Sequence, residues 1–160
     1  MKKFLTLALA LALVLSLAAC GGGEDSYTVE AGKLHMSTNA QFPPYEMVAD
    51  DGGFEGIDVE VAGLLAQKLG LELVVDDMGF TAALEAVQNG KSDIAMGAIT
   101  VNEERKASMD FTDTYATGIQ VVIVPEGSPI ASIDDLASAD LIGTQEGTTG
   151  YAYCLSLIHI

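Results

Sequence analysis

Residues 72–106, ELVVDDMGFTAALEAVQNGKSDIAMGAITVNEERK, decide the fold. The apolar run at 72–76 predicts a strand. Residues 81–88 carry helical spacing and stop at Asn89-Gly90, and 94–96 predicts a short buried strand. Asn102-Glu103-Glu104 opens another helix, with a capping side chain and acids in the first turn, where they complement unpaired N–H groups. Strand, helix, strand, helix is the rhythm of βαβ units, and it predicts an α/β fold around a parallel sheet.

Upstream, 33–37 predicts a strand that ends in the turn-rich stretch 38–44. Residues 45–48 and 54–55 flank Asp50-Asp51-Gly52-Gly53, a hairpin signal. Residues 58–69 read as a helix with Val61, Leu64, Leu65 and Leu69 on its buried face and Gly70 as C-cap. Downstream, the continuous β-branched run 119–124 predicts a strand covered on both faces. Ser132-Ile133-Asp134-Asp135 matches a capping arrangement, and 141–143 reads as a further strand. It leads into the polar loop 145–150, which is of the kind that opens a helix, although no helix is expected in the residues after it. The stretch 154–160 abandons the acidic style of the rest. It resembles translated sequencing-adaptor read-through, the alternative being a genuine β-strand, and neither Cys154 nor His159 is given a role. No internal repeat is present.

The chain has 160 residues, a length typical of one domain. Its 7 Lys+Arg against 23 Asp+Glu give a net charge of −16. Such a surface repels phosphate backbones, which excludes nucleic acid as a partner. An apolar content of 49% in periodic blocks excludes disorder. Two cysteines support neither a disulfide scaffold nor a zinc cluster. Met1-Lys2-Lys3, the apolar run 4–17 and Leu17-Ala18-Ala19-Cys20 resemble a bacterial lipoprotein signal, in which Cys20 becomes the lipidated N-terminus. Residues 21–26 form a flexible polar tether. Two or more acyl chains on Cys20 would hold the protein at a membrane, and no other stretch is long and apolar enough to span one.

A search for catalysis finds no HExxH, GxSxG, Walker loop or CxxC pair. His35, alternating with Leu34 and Met36, reads as a structural strand histidine. Glu103-Glu104 and Asp76-Asp77 read as helix-start and turn acids. No enzyme, cofactor or metal is called for. A search for binding is more productive, because α/β sheets place ligands in the loops after strands. Asn39 to Phe42, Phe80, and Gly97-Ala98-Ile99-Thr100 occupy such loops. Arg105, the one arginine of the chain, follows just inside a helix. Its planar fork suits a carboxylate, and aromatic rings such as Phe42 and Phe80 can sandwich an aliphatic side chain. The competing reading of Arg105 is a solvated surface arginine paired with an acid.

Taken in order, TNAQFPPYEM, GFEGIDVEVAGLLAQKLG, MGFTAALEAVQNGKSDIAMGAITVNEERKASMDFTDTY and IGTQEGTTG resemble the extracellular solute-binding family for polar amino acids. These are the capturing lipoproteins or periplasmic proteins of ABC importers, and the likeness runs from about residue 34 to 153. It implies a periplasmic-binding-protein-like flytrap fold of type II, whose two α/β lobes close on the ligand. It further implies that Asn39 and Phe42 belong to the first loop and Phe80 to an aromatic wall. Gly97, Ala98 and Thr100 would contribute backbone and hydroxyl contacts, and Arg105 would clamp the ligand α-carboxylate. Gln145, Thr148 and Thr149 would line the opposite wall, Thr149 giving a helix-start N–H and its hydroxyl to that carboxylate. Basic-amino-acid binders often have Asp where this chain has Asn39, which lowers the case for a Lys or Arg ligand. The acid that pairs the ligand ammonium falls beyond residue 160 and is not assigned.

The resulting organisation is a signal peptide (1–19), lipidated Cys20 with its tether (20–32), lobe 1 (33–118), an interlobe crossing (119–124), the start of lobe 2 (125–153) and the atypical tail (154–160). The chain is thus expected to be an N-terminal portion cut within lobe 2. The expected protein is a monomer outside the cytoplasm, binding a free polar amino acid and delivering it to the transmembrane subunits of an ABC permease. A receptor ectodomain is the main alternative, and a dehydratase or peptidoglycan lyase on the same fold is a weaker one.

Overall fold

The computed structural model describes residues 27–158. The lipoprotein signal, Cys20, the tether as far as Ser26, and His159 and Ile160 lie outside the described residues. None of the described helices is long and apolar enough to cross a membrane.

Strand β1 (Lys33–Thr38) is the centre of a three-stranded parallel sheet in the order β5-β1-β6, with β5 at Glu72–Asp77 and β6 at Ile94–Ala95. Met36 sits opposite both Val75 and Ile94, so the middle strand is laddered on each side. A small antiparallel sheet joins β2 (Gln41–Phe42), β3 (Glu46–Val48) and β4 (Phe54–Glu55) around the turn at 50–53. Helix α1 (Ile57–Leu69) packs against β5 and the small sheet, and α2 (Phe80–Gln88) against β1 and β6. The sequence reading of the βαβ core and of the hairpin is met, with β6 one residue shorter and only half-buried.

Gly70 closes α1 in the left-handed conformation, φ 70°, with its N–H returned to the last helical turn. The start of α1 is less usual. Gly56, at φ 124°, supplies no capping side chain, and the Ile57 and Asp58 N–H groups donate instead to the Pro44 and Tyr45 carbonyls at 3.1 and 2.9 Å. A Cβ at Gly56 would collide with the Tyr45 carbonyl, so only glycine allows the hairpin this close.

The predicted face of α1 is corrected. Ala62 and Ala66, four residues apart, face inward, whereas Leu64, Leu65 and Leu69 are exposed. Alanines at the seam let the helix approach the strands closely, which leucines there would prevent. The core is accordingly built from small residues, Ala62, Ala66, Ala83 and Ala86, around Leu34, Met36 and Leu84.

Beyond α3 (Glu103–Lys106) the expectations fare worse. Residues 119–124 form no strand, and Ile119 and Ile123 are 87% and 93% exposed. Residues 141–143 form none either. A strand exists only where its backbone groups find a ladder partner, and among the described residues no strand lies after β6. The capping motif does form: Asp135 accepts from the Ala131 and Ser132 N–H groups and from the Ser132 hydroxyl, opening a 3₁₀ turn at Ile133–Ser138. The chain also continues past the polar loop as helix α4 (Thr149–Ile158). The stretch from Cys154 to Ile158 is therefore helical, correcting both the β-strand alternative and the expectation that no helix follows the loop.

Candidate functional site

The loops after β1, β5 and β6 meet the loop before α4, and Arg105 lies where they converge. Asn102 caps α3 by accepting the Arg105 N–H at 2.8 Å, which orients the first turn of this four-residue helix. The Arg105 side chain then turns inward, leaving the residue only 8% exposed. Its Nη1 donates to the Thr100 carbonyl at 2.7 Å and its Nη2 to the Gly147 carbonyl at 3.0 Å. The guanidinium carbon stands 5.5 Å from the centre of the Phe80 ring, a cation–π arrangement. Among the described residues no carboxylate forms an ion pair with it. Burial pulls its pKa below the usual arginine value, with partial compensation from Glu104, and a guanidinium still stays charged. The competing reading of a solvated, paired surface arginine is therefore overturned.

The other expected residues gather on two sides of this cation. Asn39 follows β1, and its Oδ1 accepts from Gln145 Nε2 at 3.0 Å. Phe42 is 54% exposed and stacks on Tyr45 at 5.8 Å rather than entering the core. Phe80 begins α2, and a Cβ on Gly147 would come against its ring and the Thr81 side chain. Gly97 is buried against Thr38 and Glu46, and Ala98 adopts φ 48°. Thr100 contributes its carbonyl to Arg105. Thr148 donates its hydroxyl to the Gln145 carbonyl at 2.7 Å and accepts from the Tyr151 N–H at 3.2 Å, a side-chain cap on α4. Thr149 donates to Gln120 Oε1 at 3.1 Å. A separate shallow cleft beside Gln120, Val122, Val124, Ile130, Ala131, Ser132 and Ile133 includes none of the ten expected residues.

Chemically this is a buried, uncompensated cation over an aromatic ring, with the start of a ten-residue helix close by. Such a combination receives a carboxylate, since the guanidinium offers paired donors and the helix start offers unpaired N–H groups.

Three further acids, to which the sequence reading gave no site role, hold the neighbouring loops. Glu46 and Asp58 are both fully buried, at 1% and 0% exposure. Asp58 Oδ2 accepts from the Tyr115 hydroxyl at 3.0 Å and from the Ala98 N–H at 3.3 Å. Burial, and after it the neighbouring Asp58 carboxyl, push the Glu46 carboxyl up to about 8. Burial and Asp58 push the Tyr115 hydroxyl upward as well. Asp77 accepts the Ala40 N–H at 2.8 Å and so fixes the first loop. The signal for these acids was their position beside apolar residues at the hairpin and the helix start, but acids at a helix start are ordinarily solvated.

The sequence profile described as "Bacterial extracellular solute-binding proteins, family 3" matches residues 34–151. The chain is 37% identical over 154 residues to a probable histidine-binding protein of Neisseria gonorrhoeae, covering 94% of this chain and 57% of the relative. It is 34% identical over 148 residues to the arginine-binding extracellular protein ArtP of Bacillus subtilis (strain 168), covering 92% and 57%. The chain thus spans a little over half the length of these curated relatives. A solved ancestral amino acid-binding protein, described as a precursor of cyclohexadienyl dehydratase, superposes with a TM-score of 0.73 at 30% identity, over 80% of this chain and 58% of that one. The expected α/β flytrap-type fold is thereby met, and the chain belongs to the family 3 bacterial extracellular solute-binding proteins.

Proposed function

We propose that this chain is the ligand-capturing portion of a lipid-anchored amino-acid-binding protein that serves an ABC importer. One observation carries the reading: Arg105 is a buried guanidinium without a carboxylate partner among the described residues, held by two backbone carbonyls and a ring face. The carboxylate of an α-amino acid supplies the missing counter-charge. Residues 33–118 act as the first lobe, 119–124 as the crossing and 125–153 as the opening of the second, so the ligand lies between Arg105 with Phe80 and the loop at Gln145, Thr148 and Thr149. Phe42 and Phe80 pack its side chain, and Gly97, Ala98 and Thr100 contribute backbone and hydroxyl contacts. Cys20 carries the acyl anchor, and a permease receives the ligand. The names of the two curated relatives support an amino-acid ligand, and Asn39 favours a neutral polar one.

The test is calorimetry with a panel of amino acids on the longest open reading frame that carries these residues. Arg105→Ala weakens binding by about 2–5 kcal/mol, the range for truncating one partner of a buried charge pair. Arg105→Lys recovers part of it, having charge without the fork. A change below threefold for the alanine variant refutes the clamp. The solved ancestral protein's link to a dehydratase supports a second reading, an enzyme on the same fold. Turnover of a cyclic carboxylate substrate by the same protein would favour it.

A further inference from the structure

The Asp58 carboxylate sits where three parts of the chain meet. One oxygen, Oδ2, takes the N–H of Ala98 from the loop after β6 and the hydroxyl of Tyr115 from the segment that leads into 119–124. Ala98 is the single non-glycine residue with positive φ among the described residues, a conformation that alanine adopts only at a cost. Gly97 beside it lies against Glu46: a Cβ there would stand 3.6 Å from Glu46 Oε1 and 3.8 Å from Thr38 Oγ1. Glu46 and Asp58 are both fully buried, and burial together with the charge of Asp58 raises the Glu46 carboxyl. Asp58 Oδ2 accepts two hydrogen bonds, whereas Asp58 Oδ1 and Glu46 Oε2 accept none, and the carboxyl whose pKa is raised is that of Glu46.

We propose that Asp58 is a positioning residue that fixes the turn at Gly97-Ala98 and ties it to Tyr115, four residues before the crossing. The role rests on the assignment of 97–100 as ligand-contacting. It goes beyond that assignment by naming what holds the loop, and by linking that hold to the protonation of Glu46. The titratable groups facing the pair are Tyr115 and, near it, Tyr45. Among the described residues no ion pair reaches either carboxyl. Ionisation of Glu46 places a new buried charge beside Asp58 and loosens its hold on Ala98. The transition falls where Glu46 titrates, near 8.

The decisive experiment needs no ligand and, in its first arm, no variant. In ¹⁵N-labelled protein taken from pH 6 to pH 10, the Ala98 amide and the Tyr115 ring signals shift together with one midpoint near 8, and Glu46→Gln abolishes that transition. Absence of the transition, or its survival in Glu46→Gln, overturns the proposal. In a second arm, Tyr115→Phe, which deletes one hydroxyl, raises amide exchange at Ala98 by about tenfold, the equivalent of 1.4 kcal/mol. An unchanged rate overturns the link. Binding separates this idea from the functional reading. If amino acids bind, wild-type affinity falls about tenfold between pH 7 and pH 9, the lower end for losing one charge-assisted hydrogen bond, while Glu46→Gln shows a flat profile. A flat wild-type profile overturns the positioning role. If no amino acid binds, the functional reading fails, and the amide titration still decides whether Asp58 holds the loop.

Discussion

Residues 72–77 and 119–124 are equally suited to be strands, yet only the first is one. Val74 and Val75 of β5 lie opposite His35 and Met36 in a parallel ladder. Ile119, Val121 and Ile123 have the same branched shape, pair with no strand and are largely exposed. Branched side chains do not make a strand by themselves; they stabilise one that a neighbour has already completed. The part of the chain up to Lys106 supplies such neighbours through short βα connections, and the part after it does not.

The contrast can be broken most directly at Met36. Its side chain is fully buried in the central strand, and Met36→Ala loses about 2–5 kcal/mol, the range for large-to-small changes in a packed core. Urea unfolding of both proteins measures this, and a loss under 1 kcal/mol would mean that the sheet is not the stable part.

A smaller effect comes from Glu46. Its carboxyl is raised from 4.5 to about 8 on folding, so the folded state binds the proton more tightly than the unfolded one. The stabilisation is complete below about pH 4.5 and drains away as pH rises toward 8. Urea midpoints across that window fall with pH in the wild type, and Glu46→Gln removes this slope. A slope that persists in the variant assigns the proton elsewhere.

His35 gives a weaker effect of the same sign. Its Nδ1 meets Asp76 Oδ2 at 2.8 Å and its Nε2 meets Glu30 Oε2 at 3.3 Å, and the bond to Asp76, then that to Glu30, raises the imidazole above 6.5. The contribution is whole below pH 6.5 and is lost as pH passes the raised value. His35→Gln flattens that part of the profile, and NMR titration of the ring finds its midpoint above 6.5.

The smallest effect sharpens the comparison. Ile123→Ala changes stability by no more than about 0.5 kcal/mol, as for an exposed site away from packed features. A larger loss would show that 119–124 is packed in solution and would erase the difference between the two regions.

What could be read from residues alone follows the same division. Strands β1 and β5, the hairpin, α2 and the Asn102 cap are written in patterns a few residues long, and all are present. The buried face of α1 was misread because leucine outweighs alanine in any hydrophobic count, while the fit against the strands favours the smaller side chain at Ala62 and Ala66. The strands expected at 119–124 and 141–143 depend on partners that no local pattern reveals. At the site, the residue type and loop position of Arg105 were legible. Its burial was not, because that depends on Thr100, Phe80 and Gly147 closing around it from three separate places. Glu46 and Asp58 were passed over for a related reason: twelve positions apart, they look like ordinary surface acids until the hairpin folds back on the helix.

That fold-back depends on Gly56. The hairpin carbonyl at Tyr45 rests where a side chain would otherwise begin, with Glu46 one residue past that contact and Asp58 two residues past the glycine. A methyl group at 56 would act as a spacer and wedge the two carboxyls apart. Glu46 would then return toward an ordinary acid, and Asp58 would lose its buried neighbour. The acidity of one residue is thus inherited through another that has no ionisable group, so a Gly56→Ala lineage would change how the protein responds to an alkaline habitat without altering its charge composition.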